Sequence, residues 1–344
     1  MTNLSHIPPI KDQLGRALRD LRISVMDRCN FRCVYCMPED KFHPGFKFLP
    51  SKERLSFDEM LRLVRIFTKL GVTKIRITGG EPLLRVNLTD FIGDLSTLDN
   101  IKDIALTTNG VLLKKYAYEL KAAGLNRITV SLDSIDSDEF KLMTGGRGSL
   151  ERVLKGIDEA AMAGFKNIKV NAVIKKGVND KNILKMVEYF RSKSIVLRFI
   201  EYMDVGNINH WQQEETLASK EIIKMISERW PIVPVNENYQ GEVASRYQFD
   251  DGQGEIGFIS SVTKPFCSDC TRARLSSDGK LYNCLFASKG VDLRAWLEEG
   301  MNDDEIESKI IEIWNQREDR YSELRLANKN DPSKEKVEMY YIGG

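Results

Sequence analysis

The chain has 344 residues, which suits one barrel-sized domain with an extension better than a single small core. Its hydrophobic share of 42% and charged share of 29% are ordinary for a globular protein and exclude a disordered chain. The formal net charge of +1 gives no general basic field, so we expect no nucleic-acid partner.

The sequence contains no apolar run of about 18 residues, so we expect no transmembrane helix and no membrane partner. The first residues lack the basic and apolar regions of a signal peptide. We therefore expect a cytoplasmic protein with reduced thiols. In that compartment, clustered cysteines are more often metal ligands or catalysts than disulfides.

Over the first 205 residues, β-rich runs alternate with amphipathic ones. A helix over residues 56–70 begins with a capping box of Ser56 and Glu59, and a helix over 111–123 ends before Gly124. Six strands are predicted, at residues 21–25, 74–78, 103–107, 127–132, 167–174 and 196–202. Six successive strand–helix units predict parallel strands with right-handed crossovers, hence an α/β fold with a partial (β/α)6 barrel. Chemistry in such folds lies at the carboxyl ends of the strands.

After about residue 230 this alternation stops. Residues 250–252 and 278–279 have the composition of hairpin turns, and residues 303–321 are predicted to form one long helix. We divide the chain into a barrel core, residues 1–230, and a C-terminal region, residues 231–344.

Three of the six cysteines, Cys29, Cys33 and Cys36, fall within eight positions. Buried cysteines can be simple small hydrophobes, but three cysteines at this spacing argue against that interpretation. Structural zinc usually takes four ligands. An iron–sulfur cluster held by three thiolates is the third interpretation, and it leaves one iron without a protein ligand.

The other three cysteines, Cys267, Cys270 and Cys284, form a second triad. If residues 278–279 make a two-residue turn, Cys284 pairs across the hairpin with Ala273, which is three residues from Cys270. The three histidines, His6, His43 and His210, stand at no regular ligand spacing from either triad. Two clusters, each with one iron free to bind a small molecule, are therefore the sharpest hypothesis.

The C-x3-C-x2-C motif of residues 29–36 resembles the signature of the radical S-adenosylmethionine (SAM) superfamily, and Ile-Thr-Gly-Gly-Glu-Pro at 77–82 resembles its second motif. Further stretches resemble the GTP 3′,8-cyclase family of molybdenum cofactor biosynthesis, over about residues 14–344. They are residues 21–25, 106–110, the Cys-x2-Cys-Thr-Arg-Ala-Arg run of 267–274, Cys284 and the terminal Gly343-Gly344.

This resemblance implies a radical SAM barrel whose C-terminal extension carries the second cluster. Cys29, Cys33 and Cys36 would hold a 4Fe–4S cluster that binds SAM, and one electron would cleave SAM to methionine and a 5′-deoxyadenosyl radical. The radical would take hydrogen from C3′ of GTP, and C3′ would close onto guanine C8. The product is (8S)-3′,8-cyclo-7,8-dihydroguanosine 5′-triphosphate. Cys267, Cys270 and Cys284 would hold the second 4Fe–4S cluster, with the purine at its open iron.

The resemblance also implies individual site residues. The SAM contacts would be Tyr35, Gly80, Ser131 and Met203. The GTP contacts would be Arg22, Arg76, Thr107, Lys169, Arg272, Ala273 and Arg274, and arginine suits phosphate because it binds oxygens bidentately. The residues acting in catalysis would be Arg272, Arg274, Gly343 and Gly344.

The implied partners are GTP, an electron donor of the flavodoxin or ferredoxin type, and the next pathway enzyme, cyclic pyranopterin monophosphate synthase. A homodimer is a further option. Two alternatives stay open at this point. One is another radical SAM enzyme with an auxiliary cluster, such as a peptide maturase, and the other is a non-catalytic metal-binding module for electron transfer.

The two triads share no cysteine, so each cluster should be removable alone. Changing Cys29, Cys33 and Cys36 to Ala should abolish SAM cleavage and leave about half the iron, whereas changing Cys267, Cys270 and Cys284 should leave some uncoupled cleavage. Iron analysis and assay of 5′-deoxyadenosine measure both outcomes. Full iron in either triple variant would show that the triads are wrongly assigned.

Overall fold

A computed structural model of the chain describes residues 9–193, 195–239, 241–328 and 335–343. Twelve strands in this described part form one sheet. They are Asp20–Ser24 (β1), Lys74–Thr78 (β2), Asp103–Thr108 (β3), Arg127–Ser131 (β4), Lys169–Ile174 (β5), Val196–Glu201 (β6), Ile232–Val235 (β7), Ser245–Phe249 (β8), Glu255–Ile259 (β9), Arg272–Leu275 (β10), Lys280–Tyr282 (β11) and Val291–Asp292 (β12).

The helices of the same residues include none that is both long and apolar enough to cross a membrane. They are Phe57–Lys69 (α1), Leu88–Ser96 (α2), Leu113–Ala122 (α3), Ser137–Met143 (α4), Leu150–Met162 (α5), Ile183–Arg191 (α6), Ser219–Arg229 (α7), Leu293–Glu298 (α8), Asp303–Asn315 (α9), Tyr321–Asn328 (α10) and Met339–Ile342 (α11).

The six predicted strands are confirmed as β1 to β6, which lie side by side in chain order and are all parallel. Strand β5 begins two residues later than predicted and β6 ends one residue earlier, which is the usual uncertainty at element ends. The predicted α/β partial barrel is thereby confirmed.

The C-terminal region extends both edges of this parallel sheet. Strand β10 adds in parallel beside β1 and continues into the antiparallel strands β11 and β12. Strand β9 adds in parallel beside β6 and continues into β8 and β7. The hairpin predicted at residues 250–252 is confirmed between β8 and β9.

The turn at residues 278–279 differs from the prediction. Arg274 pairs with Tyr282, and the Ser276 amide donates to the Lys280 carbonyl, so the loop between Ser276 and Lys280 has three residues instead of two. Gly279 has φ +90°, which is the left-handed conformation that a three-residue hairpin loop uses. Extending this register places Cys284 opposite Arg272 and not opposite Ala273.

The single helix predicted over 303–321 is wrong. Helix α9 ends at Asn315, and α10 begins at Tyr321. Between them the chain turns so that the Arg317 side chain, 1% exposed, contacts Asp12 and the Cys270 carbonyl. This buried contact ends the helix, because a guanidinium excluded from water needs such partners.

The two sides of the barrel strands differ in character. Leu21 and Ile23 of β1 belong to the hydrophobic core, whereas Arg22 between them lines an internal cavity. Ile75 and Ile77 flank Arg76 of β2 in the same way. Since side chains alternate along a strand, the apolar set meets the surrounding helices and the basic set faces the barrel interior.

Helix α1 begins with the predicted capping box: Ser56 Oγ accepts from the Glu59 amide, and the Glu59 carboxylate accepts from the Ser56 amide. Ser56→Ala should lower the free energy of unfolding by about 0.5–2 kcal/mol, the usual effect of losing a helix cap. Denaturant titration measures this difference. Ser51→Ala, at an exposed serine whose side chain makes no hydrogen bond among the described residues, serves as the control. Equal stability of both variants would contradict the role of the cap.

Candidate active site

The inward faces of the strands enclose a cavity of about 230 Å³ that collects most of the predicted substrate residues and one cysteine triad. The predicted residues among its lining are Arg22, Arg76, Thr107, Met203, Cys267, Cys270, Arg272, Arg274 and Cys284. Strands from both ends of the chain therefore meet in one site.

Three arginines form a row across neighbouring strands of this cavity. Arg22 of β1 is the register partner of Arg274 on β10 and of Arg76 on β2. Burial, and then repulsion from Arg274 and Arg76, holds the pKa of Arg22 well below its ordinary value. None of the three forms a salt bridge within the described part of the chain, although Arg76 donates to Thr107 Oγ1 at 3.0 Å. Arg274 is buried and Arg22 and Arg76 are half-buried, so an anionic ligand would offset the cost of holding three cations together.

Further polar residues of the cavity were not in the predicted set. They include the cations Lys74, Arg127, Arg198 and Arg317, the amide Asn171 and the carboxylates Asp20, Asp103, Glu242 and Asp319. Arg198 Nε donates to Asn171 Oδ1 at 2.9 Å, and burial followed by repulsion from Arg76 lowers the Arg198 pKa to about 9. Gly257 on β9 is the register partner of Arg198 on β6. A Cβ added to Gly257 would lie 2.9 Å from Arg198 Cγ. The sequence signal that could have identified Arg198 is its position as the single charged residue in the otherwise apolar run 196–200.

Two predicted GTP contacts lie outside the cavity lining. The Ala273 side chain is in the hydrophobic core, because it alternates with Arg272 and Arg274, so only its main chain faces their side. Lys169 lies near the cavity residues Arg198 and Arg127. Burial, and then repulsion from these two arginines, lowers the Lys169 pKa to about 8.

The first triad lies on the loop after β1. Arg32 holds this loop by donating from Nε to the Phe42 carbonyl and from Nη1 to the Cys29 carbonyl. Burial raises the pKa of Cys33 and Cys36, and the neighbouring cysteine charges raise it further. Such thiols would lose their protons when a metal cation binds the sulfur, and the iron ions of an iron–sulfur cluster are such cations. No three His, Cys, Asp or Glu side chains within the described ranges converge as for a single metal ion.

The Gly-Gly-Glu segment after β2 packs directly against this cysteine loop. The Gly80 amide donates to the Met26 carbonyl at 2.7 Å, and a Cβ on Gly80 would overlap the Arg28 carbonyl. The buried Glu81 carboxylate accepts from Thr108 Oγ1 and from the Asn109 amide, each at 2.8 Å. The ends of β2 and β3 are thereby tied to the cysteine loop.

The other predicted SAM residues lie in the cysteine loop and at the carboxyl ends of two later strands. Tyr35 donates its hydroxyl to Asp133 Oδ2 at 2.9 Å, Ser131 ends β4, and Met203 follows β6 at the cavity wall. Asp133 was not among the predicted SAM contacts. Burial raises its pKa to about 6, and its other oxygen accepts from the Val173 amide at 2.9 Å.

The second triad has an electrostatic setting different from that of the first. Burial raises the pKa of the Cys270 thiol, but the guanidiniums of Arg272 and Arg317 outweigh it and lower the pKa to about 6. Cys270 is therefore ready to bind metal as a thiolate at neutral pH. Burial raises the pKa of Cys284 to about 12, and a metal cation would have to offset that cost.

The C-terminal tail enters the same region. Ile342 of α11 is fully buried, and the Arg274 guanidinium donates to the Gly343 carbonyl. Gly343 has φ +73°, and a Cβ there would overlap the methyl group of Thr78. Gly344 lies outside the described residues.

Comparisons with known proteins agree with this geometry. The Radical SAM superfamily profile matches residues 23–190, and the Molybdenum Cofactor Synthesis C profile matches residues 195–323. The GTP 3′,8-cyclase of Xanthomonas campestris pv. campestris strain 8004 is 50% identical over 336 residues, 98% of each chain. The GTP 3′,8-cyclase of Staphylococcus haemolyticus strain JCSC1435 is 48% identical over 340 residues, 98% of this chain and 100% of the relative.

Among solved structures, SuiB of Streptococcus suis bound to S-adenosylmethionine has a TM-score of 0.58 at 16% identity. The match covers 82% of this chain and 65% of the SuiB chain, just under two thirds of its length. This likeness concerns the fold alone.

The fold, the first triad and the superfamily profile define a radical SAM enzyme. Within that class, the chain belongs to the GTP 3′,8-cyclase family, as its relatives match it along almost its full length. The predicted cofactors, SAM and two 4Fe–4S clusters, are confirmed at the level of the family.

Gly80 leaves no room for a side chain beside the cysteine loop, so Gly80→Ala should displace that loop and weaken SAM binding. Equilibrium binding of SAM to the reconstituted enzyme measures the effect. Gly93→Ala is the matched control, since nothing lies within 4 Å of a Cβ at that helical position. Unchanged SAM affinity in Gly80→Ala would contradict the assigned contact.

Proposed function

We infer that this protein cyclises GTP to (8S)-3′,8-cyclo-7,8-dihydroguanosine 5′-triphosphate in molybdenum cofactor biosynthesis. One observation carries the proposal beyond family membership: the row of buried, unpaired arginines shares its cavity with the second cysteine triad. A nucleoside triphosphate has both groups that such a cavity can bind, namely anionic phosphates and a purine with nitrogen and oxygen ligands for iron.

In this proposal the triphosphate lies along Arg22 and Arg76, with Thr107 supporting the Arg76 guanidinium through their hydrogen bond. Lys169 adds a further cation at the same side of the barrel. Arg272 and Arg274 lie on β10 next to the second triad, where they would contact the purine end and the charge that develops during cyclisation. Ala273 would contribute only its main chain.

Cys29, Cys33 and Cys36 would hold the cluster that supplies SAM with the electron for its cleavage. Tyr35, Gly80, Ser131 and Met203 would surround SAM. Gly80 allows close approach to the cysteine loop, and Tyr35 is oriented by Asp133. Cys267, Cys270 and Cys284 would hold the second cluster.

Gly343 and Gly344 would complete the site from the C terminus. The contact of Arg274 with the Gly343 carbonyl supports this assignment, because it joins the tail to a residue proposed to face GTP. Residues without a Cβ suit so narrow a space.

The wider setting follows from the family. We propose a cytoplasmic enzyme that takes electrons from a flavodoxin- or ferredoxin-type donor and passes its product to cyclic pyranopterin monophosphate synthase. A homodimer belongs to the same proposal, as does the division into a core, 1–230, and a C-terminal region, 231–344.

The two alternatives fit the cavity less well. Neither a peptide maturase nor an electron-transfer module needs a row of arginines buried without carboxylate partners. A substrate with several negative charges does.

The proposed function is tested by anaerobic incubation of the reconstituted enzyme with reductant, SAM and a nucleotide. With GTP, mass analysis should find a product of the same mass as GTP, separable from it, together with 5′-deoxyadenosine. With ATP, no such isomer should form. Formation of 5′-deoxyadenosine without any change in GTP would refute the proposal.

Arg22→Ala or Arg76→Ala should weaken GTP binding by about 1–3 kcal/mol, the range for losing a hydrogen bond to a charged group. SAM binding should change much less. Calorimetric titration measures both ligands, and Arg65→Ala, on the exposed side of α1, is the control. Equal losses for GTP and SAM would indicate a folding defect instead of a lost phosphate contact.

Changes in the tail should affect turnover more than binding. Gly344→Ala, Gly343→Ala or a short C-terminal extension should reduce product formation at least tenfold, which is about 1.4 kcal/mol in the barrier. Iron content and GTP affinity should stay near wild type. Gly300→Ala is the control, because Gly300 also has positive φ but no atom within 4 Å of its Cβ position. Full turnover by a C-terminally tagged enzyme would rule out the tail's role.

A further inference from the structure

A buried ionic network lies behind the second cysteine triad. Asp12 Oδ2 accepts from Arg16 Nε at 2.6 Å and from Arg317 Nη1 at 2.9 Å. The three side chains are at most 1% exposed. Two guanidiniums thus share one buried carboxylate. A second carboxylate, that of Asp319, lies 3.7 Å from Arg317 Nε, but its side chain is 39% exposed, so the buried part of the network keeps one excess positive charge.

Both guanidiniums also bind the main chain of the triad. Arg16 Nη1 donates to the Cys267 carbonyl, and Arg317 Nη1 donates to the Cys270 carbonyl, each at 2.8 Å. Residues 12 and 16 are about 250 positions before these cysteines. The network therefore fixes two cysteines from outside their own hairpin, through side chains that belong to two other parts of the chain.

The network contains spare donors as well. Arg16 Nη2 and Arg317 Nε are buried and make no hydrogen bond among the described residues, although the Asp319 carboxylate lies 3.7 Å from Arg317 Nε. Arg317 also lines the cavity that contains the triad. An unused buried donor is costly, so these atoms fit a neighbour with negative charge. A 4Fe–4S centre held by three thiolates is such a neighbour.

We propose that Asp12, Arg16 and Arg317 are positioning residues for the second cluster. They hold the Cys267 and Cys270 main chain in place for cluster assembly, and their net positive charge raises the reduction potential of that cluster. This positioning role rests on one part of the proposed function, namely that Cys267, Cys270 and Cys284 bind a cluster. Net charge and hydrogen bonding near a cluster are established determinants of its potential.

The test uses two full-length backgrounds. One has Cys29, Cys33 and Cys36 changed to Ala and retains only the second triad, and the other has Cys267, Cys270 and Cys284 changed to Ala. Arg317→Gln, Arg16→Gln and Arg317→Lys are placed in each. Reconstituted protein is assayed for iron, for the rate of iron loss to a chelator, and for the midpoint potential by anaerobic redox titration.

With only the second triad present, Arg317→Gln and Arg16→Gln should lose iron at least threefold faster and shift the midpoint potential to more negative values. Arg317→Lys keeps the charge but not the two-sided donor geometry, so it should restore the potential and still lose iron quickly. With only the first triad present, all three should match their parent. Arg62→Gln is the matched control, because Arg62 likewise joins an aspartate, Asp303, to a main-chain carbonyl, Met301, away from the cysteines.

Equal loss of iron in both backgrounds would show a general structural role and overturn the proposal, and so would unchanged iron and potential in both. If Arg317→Gln fails to fold, Arg317→Lys and Arg16→Gln decide the same question. Failure of the parent second triad to take up iron would refute the cluster assignment itself, and this proposal with it. Normal uptake without any effect of the arginines overturns the positioning role alone.

Discussion

Burial of arginine without a carboxylate partner is the constraint on which the rest of this structure depends. Arg22, Arg76 and Arg274 lie side by side on three neighbouring strands, and repulsion among them adds to the cost of removing each from water. A ligand that supplies negative charge would offset this cost. The cavity is therefore suited to an anionic ligand. The barrel around it must be stable enough to hold these charges together before that ligand binds.

That stability comes from the apolar side of the same strands. Each inward arginine of β1 and β2 is flanked by outward isoleucine or leucine residues in the core. Because side chains alternate along a strand, one side of each strand stabilises the fold and the other side lines the cavity. The C-terminal region then adds β10 beside β1, which brings the second triad, Arg272 and the third arginine of the row, Arg274, to the cavity. The tail returns to this place and contacts Arg274. Both ends of the chain thus complete a site that the six barrel strands begin.

Much of this could be predicted from the sequence, because the signals are local. The capping box of Ser56 and the first cysteine triad each lie within eight positions, the second triad lies within residues 267–284, and each strand–helix unit shows its own local hydrophobic pattern.

The features that escaped prediction depend on contacts between distant residues or on backbone conformation. Helix α9 ends early because Arg317 binds Asp12, a residue 305 positions away. The hairpin register near Cys284 depends on the left-handed conformation of Gly279, which composition alone does not determine. Arg198 became recognisable as a cavity residue only once β9 had placed Gly257 opposite it.

The most direct test of the account follows one hydrogen atom. GTP carrying deuterium at C3′ is incubated anaerobically with the enzyme, reductant and SAM, and the 5′-deoxyadenosine formed is examined by mass spectrometry. We expect the 5′-deoxyadenosine to gain one deuterium and the cyclised nucleotide to lose it. Unlabelled 5′-deoxyadenosine alongside a nucleotide that keeps its deuterium would contradict the claim that this cavity positions C3′ of GTP for radical cyclisation.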